Sequence, residues 1–100
     1  MTKPICKTNM WNTNRLIDSY MKECNYWFGR DNDMSEMYAA DRNDFIEARN
    51  LYQTLEHDEL RTHVNRMDTS PREDIVIALA KDCGPAFVRD ALGWEVEGWV

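Results

Sequence analysis

Ser70-Pro71-Arg72-Glu73 leads into an apolar run, Ile75 to Ala80, that closes on Cys83-Gly84-Pro85. The opening has the form of a helix start. Ser70 serves as N-cap, Pro71 takes the first helical position, and Glu73 reaches back to the serine's backbone N–H. The helix then runs to Cys83. Ile75, Val76, Leu79, Ala80 and Cys83 share one side and Ile77 takes the other, which marks it as the most buried helix of the chain. Gly84 stops it and Pro85 opens another, to Leu92, with Phe87, Val88, Ala91 and Leu92 inward and Gly93 as its stop.

The same periodicity extends outward in both directions. Leu16, Tyr20, Cys24 and Trp27 recur at helical spacing between Thr13 and Phe28, flanked by Ile17, Met21 and Phe28, and Gly29 ends that stretch. Asp33-Met-Ser-Glu36 reads as a second helix start, with Asp33 as cap. At about 100° per residue, Met34, Met37, Tyr38, Phe45, Ala48, Tyr52 and Leu55 fall on one face. Asp41 lands in the middle of it. An unpaired buried carboxylate is costly, so the sequence predicts a break near Ala40 with Asp41 capping a second segment; the rival is an unbroken helix in which Asp41 is paired or faces a partner. A shorter helix follows, Asp58 to about Met67.

These elements predict an all-α fold: a compact single-domain bundle of four to six short helices over residues 1–100. Residues 1–11 form an irregular N-terminal segment, and residues 94–100 an extended tail whose period-two pattern has no partner strand. At 100 residues and 43% hydrophobic content the chain is one domain and belongs with folded proteins. The longest apolar run has six residues, far short of a membrane span, and the mean hydropathy is −0.68. Met1 to Trp11 carries Lys3 and Lys7 but no apolar segment of a secretory leader, so a soluble, cytoplasmic protein is expected.

Charge is where composition becomes specific. Eighteen acids against twelve bases give −6, the opposite of the basic footprint of a protein that grips phosphates, so direct nucleic-acid binding is not expected. Residues 1–30 carry five bases and two acids, residues 31–59 nine acids and two bases, and residues 60–100 five bases and seven acids. The middle third holds the imbalance.

Catalytic and metal chemistry have little to stand on. Cys6, Cys24 and Cys83 include no C-x-x-C pair, and Cys24 and Cys83 fall on apolar faces, which predicts small buried hydrophobes. His57 and His63 point to different sides of one helix and cannot chelate a metal from it. No phosphate loop, dinucleotide fingerprint or nucleophile elbow occurs, and His57-Asp58-Glu59 reads as the negatively charged start of a helix. No enzyme activity, metal or cofactor is expected.

Two functional readings remain. Glu73 to Trp94 has a helix-turn-helix outline, with Ala80 and Gly84 at the motif's spacing. Its second helix places Asp90 where an apolar residue belongs and offers Arg89 as its one base. That reading makes the chain a transcriptional regulator. The other is an acidic interaction protein. Asp33, Glu36, Asp44 and Glu47 lie beside the apolar face of one helix if that helix stays roughly continuous through Asp41. Carboxylates one turn apart stand about 5–6 Å from each other, a spacing comparable to successive phosphates along a strand. Such a row suits a protein or ribonucleoprotein partner with a basic groove. Four tryptophans exceed the need of a small core, and Tyr26, Trp94 and Trp99 are candidate apolar contacts. Apolar stripes serve self-association as readily as a core, which leaves a homodimer open.

The chain's size, acidity and helical pattern, together with Met1-Thr-Lys-Pro-Ile-Cys-Lys7 and Asp82-Cys-Gly-Pro-Ala-Phe-Val-Arg-Asp-Ala-Leu-Gly93, resemble the small anti-CRISPR proteins of phages and mobile elements. The resemblance is strongest to inhibitors of type I-F surveillance complexes. It implies a non-enzymatic inhibitor in a bacterial cytoplasm that docks on the RNA-guided complex and blocks target DNA. Those inhibitors share no fold or functional residues, so the resemblance assigns no role to any position.

Overall fold

The computed structural model describes residues 9–96 and Gly98. Its elements are α1 (Trp11–Trp27), α2 (Asn32–Gln53), α3 (His57–Asn65), α4 (Thr69–Cys83) and the single turn α5 (Pro85–Phe87), which continues as a π-helical turn, Val88–Leu92. No strand occurs among the described residues. The protein is all-α.

Antiparallel pairing sets the arrangement. α1 and α2 form a helical hairpin whose rungs are Arg49 to Asn14 at 3.0 Å, Tyr20 against Phe45, and the Ser35 hydroxyl on the Cys24 carbonyl at 2.9 Å. α4 runs antiparallel along α1, and α3 antiparallel along α2, with His63 Nε2 2.9 Å from the Asp44 carbonyl oxygen. Phe45, Leu60, Val64, Ile75, Leu79 and Val88 are fully enclosed between these helices. Ile75, Val76, Leu79 and Ala80 make α4 the central element, as its apolar run predicts.

One polar clamp fixes α1 against α4. The Asp82 carboxylate accepts from the backbone N–H groups of Asn12 and Thr13, each at 2.8 Å. It also accepts from the Asn12 amide at 2.9 Å and the Thr13 hydroxyl at 2.7 Å. Met10, which precedes α1, sits at φ 61° and offers no side-chain cap, so Asp82 caps the helix from the far end of the sequence. Burial pushes the Asp82 carboxyl up, but its bonds from Thr13 and Asn12 outweigh that and hold it below the usual carboxylate range.

Several boundaries differ from the sequence reading. Asp31, not Asp33, caps α2: its backbone is extended and its Oδ1 accepts from the Met34 N–H at 3.2 Å. α4 begins at Thr69 after Asp68, so exposed Ser70 lies inside the first turn and makes no cap. Pro71 is tolerated there because the first N–H groups of a helix have no intrahelical acceptor. α2 runs unbroken through Asp41 for 22 residues. The break is unnecessary because α1 and α3, the helices packed along α2, cover only part of the predicted apolar face. Phe45, Ala48 and Tyr52 are buried, whereas Met37 is 46% exposed and Asp41 half-buried on an open cleft. Cys24 and Cys83 are half-buried rather than enclosed.

The start of the tail packs onto the helices. Trp94 lies against the core, its indole N–H donating to the Asn65 side chain at 3.0 Å, and Val96 is buried. Trp99 lies outside the described residues.

Candidate functional site

Because α2 is one unbroken helix, its exposed face keeps the phase of the continuous-helix reading. Asp33, Glu36 and Glu47 are exposed and Asp44 is half-buried. None of the four makes an ion pair with a described residue. Between Glu36 and Asp44 the same face carries exposed Ala40 and Asn43, and the Arg42 guanidinium reaches its edge, donating to the Asn43 side chain at 3.1 Å. The row is two pairs rather than an even ladder. Eight residues separate Glu36 from Asp44, about 12 Å at the helical rise.

Each pair has its own surroundings. Asp33 lies in the first turn of α2, where its charge also favours the helix, and Asp31 stands just before it. Asp44 and Glu47 border α3. There Glu47, Leu51, Asp58, Glu59, Thr62, His63 and Arg66 line a shallow groove of about 420 Å³. Asp58 and Glu59, in the first turn of α3, widen the acidic surface across the groove. In the sequence these two mark only the start of a helix. Their place beside Glu47 depends on the α2–α3 turn, which no local pattern specifies.

A second cleft, of about 460 Å³, opens between α2 and the start of α4, lined by Tyr20, Met37, Tyr38, Asp41 and Asp68 to Pro71. Burial, then the charges of Asp44, Asp68 and Asp74, raise the Asp41 carboxyl. Burial, then the Asp74 carboxylate to which its hydroxyl donates at 2.6 Å, pushes the Tyr20 phenol up strongly. Among the described residues, no group of three His, Cys, Asp or Glu side chains is placed to hold a metal ion. His57 packs against Tyr52 and Phe87, while His63 belongs to the α3 groove.

The aromatic candidates separate. Tyr26 is 54% exposed on the last turn of α1, with the Arg30 guanidinium 4.6 Å above its ring. Trp94 is half-buried, with Arg72 5.2 Å from its ring. Phe28, which the periodicity assigns to the flank of an apolar face, is 77% exposed because α1 ends at Trp27.

No protein family matches this chain, and no curated protein or solved structure is measurably similar to it. After α4, Gly84 leads straight into the short helical stretch 85–92, where the helix-turn-helix outline expects a recognition helix. That stretch buries Phe87, Val88 and Leu92 and presents Ala86, Arg89 and Asp90 outward, with Arg89 and Asp90 paired at 3.2 Å. A DNA groove would meet one cation there. No helix among the described residues is long and apolar enough to cross a membrane.

Proposed function

We propose that this protein is a non-enzymatic acidic inhibitor. In a bacterial cytoplasm it binds a nucleic-acid-handling complex, a type I-F CRISPR surveillance complex in the first instance, and blocks target DNA. The observation that carries this reading is one face of α2: four carboxylates on one unbroken helix that make no ion pair with a described residue, with Asp58 and Glu59, beside Arg66, across a groove. Mixed signs would serve solubility equally well, whereas a one-signed field steers a basic partner. Exposed pairs contribute about 0–1 kcal/mol each, so affinity on such a face comes from several charges acting together and weakens with salt.

The test is competition. Purified surveillance complex preincubated with the protein is expected to lose target DNA in a mobility-shift assay, with the protein co-migrating and the effect declining as salt rises. The protein alone is expected to leave random DNA unshifted at low salt. Failure to bind or compete refutes the inhibitor reading for this complex, and a shift of random DNA by the protein itself favours the regulator.

A further inference from the structure

The turn that joins α1 to α2 is ordered, exposed and aromatic. The Trp27 carbonyl accepts from the N–H groups of both Arg30 and Asp31, each at 2.9 Å. Gly29, at φ +82°, donates its N–H to the Asn32 side chain at 3.0 Å. Arg30 donates to the Tyr26 carbonyl at 2.6 Å and stacks on the Tyr26 ring, which meets the Trp27 ring edge to face at 5.0 Å. On this frame Tyr26 is 54% and Phe28 77% exposed.

Helix register explains the exposure. α1 is pinned to α4 at Thr13 on Asp82 and at Tyr20 on Asp74, and α4 begins at Thr69. One turn beyond Tyr20 along α1 brings the chain level with the start of α4, so the last turn of α1 and the first of α2 overhang it. Phe28 therefore adds nothing to the core. An aromatic ring held outward on an already ordered turn can be buried in a partner with little further loss of conformational freedom.

The charges beside it define that partner. Asp31, Asp33 and Glu36 flank the tip and make no ion pair with described residues; Arg30, exposed and stacked on Tyr26, keeps its charge beside them, so the stretch from Arg30 to Glu36 carries three acids against one base. Burying Phe28 brings these acids against whatever surrounds the ring. An anionic lipid surface is repelled, and a second copy would oppose the same acids in a chain of net charge −6. A basic rim is attracted.

We infer that the α1–α2 turn is a docking plug: Phe28, with Tyr26 beside it, enters an apolar socket rimmed by lysine or arginine on a protein partner. The inference shares the basic partner of the proposed function but not its identity.

Photo-crosslinking tests it. The full chain carrying p-benzoylphenylalanine in place of Phe28 is expressed in the organism that encodes it and irradiated, with the same residue in place of exposed Asp90 as control. One protein adduct specific to position 28 is expected, mapping to apolar residues bordered by lysine or arginine. The purified captured protein should bind Phe28→Ala about 30-fold more weakly than the parent, as a central aromatic contact does, while the variant melts like the parent. Adducts no stronger than at Asp90, adducts to lipid or to a second copy, or undiminished binding of Phe28→Ala would overturn the plug. An adduct of the expected chemistry on a protein outside the surveillance complex supports the plug and refutes the CRISPR reading.

Discussion

Replacing Asp82 by alanine is expected to be the most damaging single polar change in this protein. The carboxylate takes four hydrogen bonds from Asn12 and Thr13. Asn12 is half-exposed, and water can replace its partner. Thr13 is fully buried, so its N–H and hydroxyl lose an acceptor that water cannot supply. A buried donor left unpaired costs about 1–3 kcal/mol. Two such donors, less the desolvation recovered when a partly buried carboxylate is removed, give a loss of roughly 2–4 kcal/mol. Met10, buried and held at φ 61° at the entrance to α1, is expected to relax with it. At about 4–8 °C per kcal/mol for a domain of this size, the melting temperature should fall by at least about 8 °C. Urea denaturation followed by circular dichroism measures the loss directly, and a cycle with Thr13→Val should return a coupling energy above about 0.5 kcal/mol. The pH dependence supplies a second check. Because the folded carboxyl lies below its unfolded value, the clamp's ionic contribution is complete above the ordinary carboxylate range and is lost as pH falls through that range toward the depressed value. Parent and variant should therefore converge in acid. A loss under about 1 kcal/mol at pH 7, or a gap indifferent to pH, would refute the capping role.

Asp31→Ala should cost about 1 kcal/mol by removing the acceptor for Met34, whereas Ser70→Ala should leave the denaturation midpoint unchanged, since no cap is lost. Asp41→Asn should raise the midpoint at neutral pH. Its carboxyl is held up by burial and by three neighbouring acids, so the parent loses stability as pH rises through and just above the carboxylate range, and the variant should not. Trp94→Ala should lower the melting temperature, because the ring packs on the core and its N–H is bonded to Asn65; an unaltered melt would free Trp94 for an interface.

The helices were legible where the pattern is local. Gly29, Gly84 and Pro85 mark their boundaries correctly, and the apolar run from Ile75 to Ala80 identifies the central helix. Cap positions were less so, because Asp31, Asn32 and Asp33, like Asp68, Thr69 and Ser70, are all capable caps and tertiary packing selects among them. The break expected at Asp41 rests on taking the whole apolar face as buried, which fails at the open cleft that Met37 and Asp41 line beside the start of α4. Asp82 was beyond reach of any periodicity, since its donors lie about 70 residues away. Phe28 was misread for a related reason: helical phase assigns a side, but only the end of α1 at Trp27 shows that the side is uncovered. At the candidate site, the phase of Asp33, Glu36, Asp44 and Glu47 was readable, while the neighbourhood of Asp58 and Glu59 required the turn between α2 and α3.

The central claim, that α2 works through its acidic face, is tested most directly by changing Asp33, Glu36, Asp44 and Glu47 together to Asn, Gln, Asn and Gln. Single changes of exposed charges can be silent, so the quadruple variant is the fair comparison. Its affinity for the purified surveillance complex is measured across a salt series alongside the parent, with circular dichroism confirming the helical fold. The account predicts a sharp fall in binding at low salt and a flattened salt dependence. A quadruple variant that binds and inhibits like the parent, with both indifferent to salt, would contradict it.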